Sequence, residues 1–308
     1  MPFYWKKKVI LAKAEAVYGT DPVPTGEANA ILATNISLNP MEGEDVSRNL
    51  ERPYFGAQEQ LPVGLHSVLT FDVEMVGSGT LGEPPGWGVL HRACAMAETI
   101  TEDTSVEYEP ISSALESVAL YINIDGVLHM LLGGRGNVVG TLNAQGIPVW
   151  RYTMTGLFAQ PTATAAPVPD YSGFQTPQVA NKANTPTFTI GGTAFRLRSF
   201  EFNRGAQVER RFLVGYEAIE IVDAVETLSC QVEAVALATY NPFTAPIGAP
   251  SAIALVHGTV AATRVKLDFP KAKQRRPGYT SEQNIVEWPL TFDPLPDEGN
   301  DGFKITLS

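Results

Sequence analysis

The chain has 308 residues and a hydrophobic fraction of 44%, enough for one large or two ordinary domains with a sizeable core. No apolar run is long enough to cross a bilayer. The net charge of −11 argues against a protein that grips nucleic acid along its whole surface. It is compatible with a wall past which a polyanion slides, or simply with solubility charge.

Residues 1–34 are expected to form an extended arm. The opening segment MPFYWKKKVILAKAEAVYG has no continuous apolar stretch ending in a small-residue cleavage site, so no secretory signal is predicted. Lys6, Lys7 and Lys8 are either a contact for an acidic neighbouring subunit or a solvated basic tip. Pro22 and Pro24 favour an extended path after them.

Ile36–Leu38 and Val68–Val76 read as strands, the second alternating Leu69, Phe71, Val73 and Met75 with Val68, Thr70, Asp72 and Glu74. The charged stretch between them reads as a long loop, which calls for function or subunit contact. Tyr54 and Phe55 within it are either interface anchors or staples to their own domain. Gly82–Met96 (GEPPGWGVLHRACAM) is the best helix candidate, with Trp87, Leu90 and Cys94 on one face. Four strands are predicted at Ser117–Asp125, Val127–Leu132, Asn137–Asn143 and Val149–Leu157, with a tight turn at Asp125-Gly126. GGRGNVVG (Gly133–Gly140) lacks the Lys-Ser/Thr of a phosphate loop and reads as a hairpin turn.

The Pro-, Ala- and Thr-rich stretch 161–186 reads as a linker. After it, strands are predicted at Phe188–Phe202, Val208–Val214, Thr227–Leu237, Thr259–Phe269, Ile285–Phe292 and Phe303–Leu307. A short helix after Pro250 would match the one after Pro85. The run KAKQRRPGY (Lys271–Tyr279) reads as a basic turn whose Lys271, Lys273, Arg275 and Arg276 are candidates for a subunit contact or a free loop.

The two sets of strands look alike. Ile36, Leu38 and Asn39 match Phe200, Phe202 and Asn203 in type. Val46, Arg48 and Tyr54 match Val208, Arg210 and Tyr216. Leu69, Val73, Glu74 and Val76 match Leu228, Val232, Glu233 and Val235, and Arg151–Leu157 lines up with Trp288–Leu295. An internal repeat of strands with variable loops implies two homologous β domains, 35–160 and 187–308.

Little points to catalysis. The histidines (His66, His91, His129, His257) are scattered, with no HExxH and no cysteine at ligand spacing, and no serine sits in GxSxG. No enzyme activity and no cofactor are expected. Asp72, Glu74 and Glu233 are candidate acids for a channel face, or the wet side of a sheet.

Three runs carry a family resemblance: LAKAEAVYGTDPVPTGEANAILATNISLNPMEGEDVSRNLERPYFG (Leu11–Gly56), PPGWGVLHRACAM, and LLGGRGNVVGTLNAQGIPVWRYTMTGLF. In order and spacing they resemble tail tube proteins of long-tailed bacteriophages and related prophages, over most of residues 10–160. The second half departs from those motifs and rests on the repeat. The resemblance implies an all-β fold with short flanking helices, built from duplicated β-sandwich domains whose inner sheets join between subunits into a barrel. It implies a virion protein made in the host cytoplasm, without membrane attachment. The protein would stack as rings with itself, meet tape measure, tail terminator and distal tail proteins, and pass DNA without specific binding. Two domains per chain would make a three-chain, pseudo-sixfold ring. The rival reading is a duplicated β-sandwich module of a virion that binds a receptor or carbohydrate.

Overall fold

The structure, a computed structural model, describes residues 2–308 and is all-β with short flanking helices. Among these residues, nineteen strands join one continuous sheet and two more form a separate hairpin. The helices are single turns, Gly26–Asn29 and Gly88–Arg92.

In the first half, Thr34–Ser47 pairs with Gln60–Glu74, and that strand pairs with Val149–Phe158. The series continues through Val127–Asn143 and Val118–Ile124 to Lys8–Ala14. In the second half, Leu197–Asn203 pairs with Thr227–Glu233, which pairs with Ile285–Pro294. That series continues through Val265–Gln274 and Ser251–His257 to Thr187–Ile190. The pairing order is the same. Register agrees as well: Leu38 lies opposite Leu69 as Phe202 lies opposite Leu228. Val73 lies opposite Trp150 as Val232 lies opposite Trp288.

Alternation explains the packing. Leu69, Phe71 and Val73 point into the core with Trp150, Tyr152 and Met154, and Leu228 and Val232 do so with Trp288, Leu290 and Phe292. A one-residue slip would turn each of these rows out to solvent, so burial itself fixes register. The core runs through both halves, and the ladder does too. Val139–Asn143 pairs antiparallel with Ser199–Asn203, and Val106–Tyr108 pairs with Ile305–Leu307.

Several elements differ from expectation. The extended arm expected at 1–34 is, over the described residues 2–34, folded into the sheet: Lys8–Ala14 is a strand whose Ile10, Leu11 and Ala12 are buried, and Ala30-Ile31 pairs back onto it. The short apolar run VIL was enough to claim a place in the sheet. The long charged loop is mostly strand, because Thr34–Ser47 and Gln60–Glu74 carry on as a hairpin beyond the core. Their polar outer residues hid them from a search for buried alternation.

Gly133–Gly140 is not a hairpin turn but the middle of the strand Val127–Asn143. Its glycines answer close approaches. A Cβ at Gly140 would overlap the Trp150 ring, one at Gly136 the Met154 sulfur, and Gly133 takes φ +59 beside a register shift. The segment after Pro250 is the strand Ser251–His257 rather than a helix, with Ile253, Leu255 and His257 alternately buried. The helix at Gly88–Arg92 is shorter than the predicted span, yet Trp87, Leu90 and Cys94 share its buried side. A helix this short persists only by docking. Trp87 fastens it, donating its indole N–H to the Val76 carbonyl at 2.9 Å. The stretch 161–186 is largely without strand and lies on the first half, where Phe174 covers Gly86 and Gln175 donates to the Ser78 carbonyl.

Candidate assembly edges and polar wall

The face of the continuous sheet opposite the core is the first candidate surface. Across both halves it carries small polar side chains: Thr70, Thr153 and Asn137, then Asn203, Thr227 and Ser229. Alternation dictates this, since residues between buried ones must face the other way. At the junction of the halves, Asn137 Nδ2 donates to Asn203 Oδ1 at 2.9 Å, and Asn137 Oδ1 accepts from the Ala206 N–H at 2.9 Å.

Charges on this face are mostly paired. Asp72 is buried and receives both Arg151 Nε (2.8 Å) and Nη2 (3.1 Å), with Asn35 Nδ2 at 2.8 Å. Burial works to raise its pKa, but the Arg151 and Asn35 hydrogen bonds outweigh that and hold it below the usual carboxylate range. Asp72, expected as a candidate acid for a channel face or the wet side of a sheet, is instead buried and paired. Period two put it on the face opposite Phe71 and Val73 but could not see Arg151 lying across it. Glu287 is the second-half counterpart, buried beneath Arg198 and bonded by Gln231 Nε2 at 2.6 Å. Glu233 pairs with Arg196 at 2.5 Å. Glu74 sits half-buried, and burial raises its carboxyl above the usual value.

The second candidate surface is a pair of sheet edges. Thr34–Ser47 pairs on one side only, and so does Thr280–Glu282, which runs beside Ile285–Glu287. Both are largely exposed. Edge strands with open N–H and C=O groups recruit further strands unless blocked.

The third is a pair of projecting hairpins. Ala206–Leu213 with Tyr216–Ala224 lies over the first half. There Arg135 is its anchor: Nη1 donates to the Ile219 carbonyl at 2.9 Å and pairs with Glu220, while Nε and Nη2 reach the Glu116 and Leu115 carbonyls. Tyr18 Oη accepts from the Ile219 N–H at 2.6 Å, and Arg210 Nη1 meets His66 Nε2 at 2.8 Å. The matching first-half hairpin, with its tip at residues 48–59, has no such cover. Tyr54 and Phe55 at that tip are 65% and 107% exposed.

The predicted basic contacts are distributed unevenly. Lys6 is exposed. Lys7 pairs with Asp125 at 3.3 Å, and Lys8 lies over the Trp5 ring and donates to the Ile36 carbonyl. Lys271 pairs with Asp297, Lys273 donates to the Gly248 carbonyl, and Arg275 grips Asp293 at 2.9 Å. Arg276 is exposed. The first part of the basic run, Lys271–Gln274, is strand, and residues 275–279 are the connection to the edge Thr280–Glu282; two of its four cations, Lys271 and Arg275, are paired with carboxylates. Sequence reading missed Arg135, Arg151, Arg198 and the Thr280–Glu282 edge. A lone buried arginine between glycines, as at Arg135, was the one signal available.

Elsewhere, His91 is fully buried among Trp87, Tyr108, Trp150 and Tyr152, with Nδ1 2.8 Å from Tyr152 Oη. Burial lowers its pKa to about 3, so it stays neutral. Cys94 and Cys230 are free and buried. Among the described residues, no group of three or more His, Cys, Asp or Glu is placed to hold a metal ion, and no helix is long and apolar enough to cross a membrane.

The described residues thus form a polar-faced, antiparallel sheet with two edge strands paired on one side only, an architecture with the marks of a structural protein rather than of a catalyst. Comparison agrees: the family described as phage tail tube protein matches residues 5–307, and the chain belongs to that family. It is a structural tail tube protein of a bacteriophage. No curated protein matches the chain.

Proposed function

We propose that copies of this chain close into three-membered rings and stack as the wall of the tail tube, through which DNA passes into the host. The observation that carries this reading is the repeated pairing order, four strands in each half sharing one polar face. Two tail-tube-like units per chain, 35–160 and 187–308, then give a ring of six similar lobes from three chains.

Size argues for a multi-chain ring. Eight strands spaced about 4.8 Å apart and tilted about 45° would close alone at a diameter of about 17 Å, which side chains fill. Three such sets close at about 50 Å, wide enough to pass a nucleic-acid duplex. The wall chemistry suits passage rather than grip. Its arginines are committed to neighbouring carboxylates, so few cations are left to trade counterions with phosphate. Heterologous contacts close a ring, and stacked rings make the filament. Tape measure, tail terminator and distal tail proteins are the partners expected inside and at the ends of such a tube, with the chain residing in the virion.

The test is negative-stain electron microscopy of the purified chain, concentrated and aged. Hollow tubes with a regular axial repeat are expected. Compact particles that bind a glycan or receptor fragment and never polymerise would overturn the proposal in favour of a binding module.

A further inference from the structure

We infer that the edge Thr280–Glu282 of one copy pairs antiparallel with the edge Asn35–Asn39 of the next, in a register that the chain displays within itself. This inference rests on the ring reading and adds to it the strands, the register and the residues of the joint.

The template is the junction between the halves. There Asn143 lies opposite Ser199, Thr141 opposite Glu201 and Val139 opposite Asn203. Each side of that junction has a counterpart without a strand partner, the first carrying only the Lys8 ammonium on the Ile36 carbonyl. Ser199–Asn203 corresponds to Asn35–Asn39, because Phe202 and Leu38 occupy the same register against Leu228 and Leu69. Val139–Asn143 corresponds to Gly278–Glu282. Thr141 lies opposite Val149, just before Trp150, and Thr280 lies opposite Glu287, just before Trp288. Carrying the template across sets Ser37 opposite Thr280, Asn35 opposite Glu282 and Ile36 opposite Ser281.

Side chains around the two edges fit the same transfer. Asn137, which bonds Asn203 at the internal junction, lies opposite Thr153, three residues past Trp150. Arg275 occupies that place in the second half, donating its backbone N–H to the carbonyl of Thr291, three residues past Trp288. In the joint Arg275 therefore faces Asn39, whose Nδ2 holds the Glu42 carboxylate at 2.7 Å. Arg275 already carries Asp293 there, so the joint brings an Arg–Asp pair against the Asn39–Glu42 pair. Arg135, the anchor of the second-half hairpin, has its counterpart in Lys273, since Gly136 faces Met154 as Gln274 faces Phe292. The first-half hairpin, with its exposed Met41, Val46, Leu61 and Val63, then lies over the second half of the next copy, as the second-half hairpin lies over the first.

The test is cysteine cross-linking of the assembled full chain. Directly opposed antiparallel residues are about 4.5–5.5 Å apart, within disulfide range. The S37C/T280C variant, oxidised after tubes form, should give a covalent ladder that ends at three chains on a denaturing gel. The S37C/S281C variant, with side chains on opposite faces, should give at least tenfold less. Co-assembled single variants S37C and T280C should give dimers only, and either alone should give none, which guards against a double variant that misfolds. Tubes that form without the S37C/T280C link, or that link both double variants equally, overturn this joint while leaving the tube intact. A chain that forms no tubes under any condition overturns the ring reading beneath it.

Discussion

The two halves share a pairing order but differ in what covers their outer strands. The second-half hairpin, residues 206–224, is laid on the first half, with Ala218 and Ile219 fully buried and Arg135 holding its backbone. The first-half hairpin carries Met41, Val46, Leu61 and Val63 in solvent. The strand Val139–Asn143 is paired on both sides, whereas Thr280–Glu282 is paired on one. Completed contacts in one place and open ones in the equivalent place are what a repeating assembly leaves in a single copy. On the proposed ring, the difference separates residues that hold the monomer from residues that would meet a neighbour.

Substitutions at matched places sharpen that separation. Gly140→Val forces side-chain atoms into the Trp150 ring within a doubly paired strand, and should cost about 3 kcal/mol or more, read by urea unfolding. Tyr279→Val, at the matching place on the open edge, should stay within about 0.5 kcal/mol in the monomer. Equal losses would break the comparison. Next in size, Arg135→Ala leaves Glu220 and several carbonyls without their donor and should cost about 3 kcal/mol. Lys273→Ala should barely move monomer unfolding while lowering the yield of tubes by microscopy.

A smaller effect lies in the wall. Asp72→Asn removes the charge that Arg151 and Asn35 bind and should cost about 1–2 kcal/mol at neutral pH. The folded carboxyl titrates below its unfolded value, so its contribution is complete above the usual carboxylate range and is lost as pH falls through the lowered value. The variant should therefore unfold with a flatter acid limb than the parent chain. His91 adds to acid sensitivity by another route. Its folded pKa of about 3 lies below the ordinary 6.5, so the unfolded chain binds the extra proton and stability falls from pH 6.5 down to about 3. His91→Phe should reduce that slope in thermal melts taken across the range. Smallest for the monomer, Tyr54→Ala with Phe55→Ala should shift unfolding by less than about 0.5 kcal/mol, while slowing tube growth followed by light scattering.

Sequence carried the all-β class because burial writes itself as alternation, and Leu69, Phe71, Val73 and Leu228, Val232 alternate plainly. Matching residue types around Leu38 and Phe202 gave no register; that Leu38 lies opposite Leu69 as Phe202 lies opposite Leu228 emerges only from the pairing of the strands. What alternation cannot reveal is pairing that needs no core. The outer ends of Thr34–Ser47 and Gln60–Glu74 are polar on both faces, and they read as loop. Glycines misled as well, because the same residue serves a turn at Gly126 and a close approach at Gly140. Alternation separated Asp72 from the core row of Phe71 and Val73, but its partner Arg151 lies on another strand, and long-range ion pairs leave no local pattern. The basic run Lys271–Arg276 was seen as a patch, whereas folding brings Asp293 and Asp297 alongside to neutralise part of it.

The most direct measurement of the central claim is the rotational average of a tube cross-section by electron cryomicroscopy, taken with the mass per ring. The account predicts threefold symmetry, six similar lobes around one open lumen, and three chains per ring. A ring of six chains, each placing one half at the lumen and the other outside, would contradict the equivalence of the halves on which the account stands.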